Sequence, residues 1–177
     1  MKKYEFTGET KIEFGVKLHR IRALVAITTI GVAVGDLGGW IEKESNLLQV
    51  FGNAWVSDNA WVFGDAWVSG DAWVSGNARV YGNAQVSDNA WVYGNARVSG
   101  NAEVSIKILC ASRSDGYVFV VTPIKDKTVR IIAGCRYFTF EEARLHWSAT
   151  RGGTQLGEES LALVDHLERM AKIQGWV

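Results

Sequence analysis

The residue types that most often carry enzyme chemistry are few in this chain, and their spacing does not suit it. His19, His146 and His166 are the only histidines, and none lies within residues 51–104, the most regular part of the sequence. Cys110 and Cys135 each sit in an apolar run, the pattern of buried thiols in a reducing compartment rather than of a disulfide framework or a zinc site. Cys135, Arg136 and His146 lack the spacing of a nucleophile group and read as a buried thiol beside a packed His-Trp pair. The stretch "TRGGTQLGEES" (150–160) has the glycines of a phosphate loop without its Lys-Ser/Thr ending. Glu158 and Glu159 stand where an anion would sit, and serve the helix dipole instead. The expectation is therefore a non-enzyme with no cofactor and no metal. What remains is arginine among aromatic rings: Trp61, Arg79, Tyr81 and Arg97. Guanidinium beside aromatic faces suits a nucleotide or phosphorylated metabolite by stacking and charge. Arginine laid over a ring purely for packing is the alternative.

Those four residues belong to a repeat. Residues 51–104 divide without insertion into hexads of the form x-[GD]-[ND]-A-x-V, and "SNLLQV" (45–50) reads as a degenerate hexad before them. Ala and Val stand two apart, so in a strand they share one side while the residue between them faces the other. Gly, Asn and Asp accept the backbone angles of a corner. The pattern predicts a short strand, a bend, and another short strand.

The run "VSGNARVYGNAQV" resembles the hexapeptide-repeat superfamily of left-handed parallel β-helices, in which three hexads make one turn of a triangular prism. More narrowly, the GNAxV string, "LHRIRAL…GDLGGWIEKESNL" and "GCRYFTFEEARLHW" resemble small hexapeptide-repeat proteins of bacteriophages and prophages. The resemblance implies three coils in which residues eighteen apart stack. Trp55, Trp73 and Trp91 then form one outer ladder, with Tyr93 beside it. The second face carries Trp61, Arg79 and Arg97, then Phe63, Tyr81 and Ser99. The third carries Trp67, Gln85 and Glu103. Corner residues stack as Asn53/Asp71/Asn89, Asn59/Asn77/Asn95 and Asp65/Asn83/Asn101, which places no two acids together and disfavours calcium.

A core of Val and Ala is thin against a backbone-ordering cost of about 1–2 kcal/mol per residue, so the indole ladder should be covered. The chain's own C-terminal module, a second subunit, or a ligand or foreign protein would each serve. Residues 1–44 read as a strand-rich cap, with Trp40 and Ile41 plugging the first triangle. Residues 45–105 are the repeat body. Residues 106–177 read as a small α+β module of three strands and two helices, at about 139–148 and 158–173.

The chain of 177 residues is 47% hydrophobic and carries zero formal net charge, which excludes a disordered tail and any global attraction to nucleic acid or membrane. Charge is uneven: residues 1–30 and 105–151 are basic and the repeat is acidic, read as solvated faces. No N-terminal pattern matches a signal peptide, and "LVAITTIGVAV" (24–34) is too short to span a bilayer. A cytoplasmic protein with no membrane contact is expected. The resemblance implies a non-catalytic, phage-type accessory protein, a dimer or trimer, that antagonises a host defence component by occluding a host protein or complex. The alternatives are sequestration of a nucleotide between subunits and, because several superfamily enzymes are such, an acyltransferase.

Overall fold

Each hexad builds one two-residue strand and one corner. In the computed structural model, which describes residues 2–104, 108–123, 128–134 and 136–177, the second hexad position has positive φ in every repeat. It is glycine throughout except at Asp58 and Asp88, with φ of 57° and 53°. Gly52 shows why glycine prevails: its φ is +74°, and a Cβ there would overlap the Gly70 carbonyl oxygen on the next coil.

Three longer strands precede the hexads: β1 (Tyr4–Glu13), β2 (Val16–Ala23) and β3 (Leu37–Ile41). The hexads supply β4 (Trp55–Val56), β5 (Trp61–Val62), β6 (Trp67–Val68), β7 (Trp73–Val74), β8 (Arg79–Val80), β9 (Gln85–Val86), β10 (Trp91–Val92), β11 (Arg97–Val98) and β12 (Glu103–Val104). They stack in parallel at the eighteen-residue offset, Trp55 on Trp73 on Trp91, Trp61 on Arg79 on Arg97, and Trp67 on Gln85 on Glu103. The Ala and Val of every hexad are buried. At the corners Asn53 Nδ2 donates to Asp71 Oδ1 (2.9 Å), Asn77 to Asn95 (3.3 Å) and Asn83 to Asn101 (3.2 Å), amide ladders running along the axis.

The N-terminal segment adds further coil, giving a β-solenoid of about four turns. Its register differs from the repeat. Trp40 pairs with Trp61 and Leu47 bridges Val68, both at an offset of 21, so the three residues beyond the eighteen-residue repeat lie between Leu47 and Trp61. Leu47 therefore takes the inward position, while Val50 of "SNLLQV" is 67% exposed, so that hexad does not continue the repeat. Ile41 points into the core, as a plug should. Trp40 does not: it stands outside, extending the outer column above Trp61. "KYEFTG" and "KIEF" are one strand, β1, broken by a bulge between Phe6 and Thr10. β1 and β2 form an antiparallel hairpin that widens the second face to a six-stranded sheet.

The C-terminal module is a four-stranded antiparallel meander rather than three strands: β13 (Leu109–Ser112), β14 (Val118–Pro123), β15 (Val129–Ala133) and β16 (Arg136–Phe138). One cross-strand row, Cys110–Val120–Ile132–Tyr137, packs against the end of the solenoid core. The opposite face, with Phe119, Val121, Ile131 and Ala133, packs against helices α1 (Phe140–Arg151) and α2 (Gln155–Ile173). Strict alternation lets one sheet serve both cores. Thr139 and Glu142 form the expected capping box of α1. α2 starts three residues earlier than its apolar stripe suggested, because Thr154 caps it through Gly157 N–H. Cys135 lies outside the described residues.

Candidate functional site

The indole ladder is graded in burial. Trp55 is 1% exposed, Trp73 is half-buried and Trp91 is 37% exposed. The cover over Trp55 comes from the N-terminal segment rather than the C-terminal module. β3 crosses it so closely that a Cβ on Gly38 would lie 2.8 Å from Trp55 Cζ2, and Tyr4, Ile21 and Ile27 belong to the same core. Trp73 stacks on Trp91 at 5.0 Å and 14°, and its Nε1 donates to Ser57 Oγ at 3.0 Å. Trp91 meets Tyr93 at 5.7 Å. Tyr93 in turn lines a groove of about 340 Å³ with Cys110, His166 and Met170 at the C-terminal module. Trp55 is thus spent on folding, and the outward surface of this face is Trp91 with Tyr93.

On the second face the outer column runs Trp40, Trp61, Arg79, Arg97. The hairpin of β1 and β2 folds over its upper half. Lys11 Nζ lies 4.3 Å from the Trp40 ring and 4.4 Å from the Trp61 ring. The Arg79 guanidinium lies 4.4 Å from Trp61 on its other side and 5.2 Å from Phe14. Cations and indoles alternate, so Trp61 is buried and only its lower neighbours face out. Burial, with the positive charges of Arg20 and Arg79, holds the Lys11 ammonium below its ordinary pKa, against the opposite pull of Glu13 and Glu9. In the neighbouring row Phe63 stacks on Tyr81 at 5.1 Å and 6°, and the next residue in that row, Ser99, carries no ring.

Arg79 and Arg97 occupy adjacent coils, about 4.8 Å apart along the axis. Neither has a carboxylate within ion-pair distance among the described residues. They separate two cavities. One, about 300 Å³, is lined by Phe14, Phe63, Arg79, Tyr81 and Arg97. The other, about 210 Å³, lies between Asn77, Asn95 and the two arginines on the solenoid and Gly116, Tyr117 and Gly134 on the C-terminal sheet. Two like charges one strand spacing apart, with no acid beside them, favour an anion between or across them. Trp61, Arg79, Tyr81 and Arg97 are thus brought together, with Trp61 as buried support. Lys11 and Phe14 escaped sequence reasoning, since only the hairpin's return across the face brings them there.

The histidines are dispersed: His19 stacks on Phe6 from β2, His146 is in α1 and His166 in α2. Among the described residues no three His, Cys, Asp or Glu side chains are grouped to hold a metal ion. No helix among them is long and apolar enough to cross a membrane.

The family described as YdcK Beta solenoid repeat matches residues 72–88, 84–100 and 90–105, within the last two coils. That similarity agrees with the stacked parallel strands seen here and supports a β-solenoid repeat protein. No curated protein matches the chain.

Proposed function

We propose that the chain is a non-catalytic binding protein whose second solenoid face takes a nucleotide or a similarly phosphorylated small molecule. The observation that carries this reading is the pair Arg79 and Arg97, unbalanced by any described acid, beside an aromatic row that ends at Tyr81. A base extends the Phe63–Tyr81 stack over the position of Ser99, and its phosphates lie on the guanidiniums. The likeness of the GNAxV string to phage and prophage proteins supports a setting in the bacterial cytoplasm, where holding such a molecule would blunt a host response. A second reading, occlusion of a host protein or pairing with another copy, draws on Trp91 and Tyr93, each 37% exposed on a contiguous aromatic surface.

Mass spectrometry of material released from the purified, denatured protein identifies a retained nucleotide, and calorimetric titration with that species measures its affinity. Each charge-assisted contact contributes about 1.5–3 kcal/mol, so Arg79→Ala or Arg97→Ala should weaken binding roughly tenfold or more. No retained nucleotide, together with no heat from any common nucleoside mono- or triphosphate, refutes the nucleotide reading. Capture of a host protein that survives both substitutions and is lost with Trp91→Ala favours occlusion.

A further inference from the structure

A second polar cavity lies wholly within the C-terminal module. It measures about 450 Å³ and is lined by Arg113, Asp115 and Tyr117 from the β13–β14 turn, Arg136 from β16, and His146, Trp147, Thr150 and Arg151 from the last turns of α1. Arg113 is buried and fixed. Its Nε and Nη2 donate to Asp115 (3.0 and 2.6 Å) and its Nη1 to Ser160 Oγ (3.0 Å), so two of its five N–H donors are left over. Its guanidinium lies 4.8 Å from the Tyr117 ring and 5.6 Å from the Trp147 ring. Arg136 sits 5.8 Å from Trp147.

Charge in this cavity does not balance. Asp115 is matched by Arg113. Arg136 and Arg151 have no carboxylate within ion-pair distance among the described residues. The carbonyl end of α1 offsets only about half a charge, which leaves a net positive wall. Two polar atoms of the lining, His146 Nε2 and Trp147 Nε1, are buried with no hydrogen-bond partner among the described residues. Such atoms are costly unless something meets them. The Thr150 hydroxyl already donates to the His146 carbonyl at 2.7 Å. Burial, and then the positive charge of Arg136, holds His146 below its ordinary pKa.

From this convergence we propose that the cavity is a binding site for a small phosphomonoester. Two free guanidiniums and the spare donors of Arg113 outnumber what a carboxylate's two oxygens accept and suit three phosphate oxygens. A concave cavity of this size suits a small molecule rather than a flat protein surface. The site is independent of Arg79 and Arg97, although Tyr117 borders both cavities.

The test uses the full chain at constant ionic strength, with the His146 ring resonances followed by NMR during titration. Inorganic phosphate should shift them saturably and at least roughly tenfold more tightly than acetate. Arg136→Gln and Arg151→Gln, both at exposed positions, should each weaken phosphate roughly tenfold, while Arg79→Ala with Arg97→Ala should leave it unchanged. Glycerol 3-phosphate and a phosphoserine hexapeptide separate a metabolite from a phosphorylated chain, and the former should bind better. No saturable shift in a folded protein, equal response to acetate, insensitivity to both Gln variants, or preference for the peptide each overturns the assignment.

Discussion

Three chemically identical residues stacked in one column offer a clean test of what anchors the solenoid. Trp55, Trp73 and Trp91 occupy equivalent hexad positions and pair directly. Their exposure nevertheless rises along the column, from 1% at Trp55 to 37% at Trp91. A buried indole removes about 150–250 Å² from water, worth roughly 4–6 kcal/mol at ~25 cal/mol per Å². Truncating a fully buried Trp to Ala costs about 3–5 kcal/mol. Trp55→Ala should fall in that range, because it empties the space beneath Gly38 and Ile21. Trp73→Ala should cost about 2 kcal/mol, losing one face of a stack and the Ser57 hydrogen bond. Trp91→Ala should cost about 1 kcal/mol or less, since water already reaches much of the ring. At about 2–4 °C per kcal/mol for a chain of this size, Trp55→Ala lowers the melting midpoint by about 6–20 °C and Trp91→Ala by about 4 °C at most. Circular dichroism melts, with the mass of each variant measured by light scattering, read this directly. Equal losses at positions 55 and 91 in variants of equal mass would refute the reasoning that the N-terminal segment holds the ladder.

Two further perturbations probe the solenoid's corners and its covered end. Gly52→Ala and Gly94→Ala both force alanine into positive φ, at a cost of about 1–2 kcal/mol. Only Gly52 faces the backbone of another coil, whereas Gly94 opens onto free space, so Gly52→Ala should lose about 1–3 kcal/mol more; equal denaturation midpoints would contradict the stacking. Lys3 is buried with its Nζ lacking a hydrogen-bond partner among the described residues, and burial lowers its pKa to about 8 against the opposing pull of Asp71. A cation whose folded pKa is depressed destabilises the fold in full below pH 8, and the penalty fades as pH rises toward the ordinary value of 10.5. Stability of the native chain should therefore rise across that window relative to Lys3→Met, and parallel pH profiles would count against the buried ammonium.

The N-terminal and C-terminal modules were legible to different depths. Helix α1 could be placed from Thr139 and Glu142, because a capping box is a local bond between residues three apart. β16 was missed, since a three-residue strand after Gly134 carries no periodicity of its own and exists only by pairing with β15. Trp40 was expected as an inward plug and Trp61 as an outward ligand contact, yet both are buried supports beneath Lys11. The register of "SNLLQV" was likewise misread, because three extra residues after Leu47 set the offset of 21 and nothing in their types announces it.

By itself the sequence determined which residues of each hexad face inward and where the corners fall, while the eighteen-residue stacking of Arg79 over Arg97 followed from the resemblance to the hexapeptide-repeat superfamily. Inward facing and corner placement depend on alternation and turn-forming residue types, so each hexad dictates them locally. Only the tertiary structure decided which rings stay exposed, which acids reach which arginines, and how the hairpin and the C-terminal turns wall the cavities. These depend on pairings between segments distant in sequence, where burial and charge compensation are properties of the assembled surface and not of any one stretch of chain.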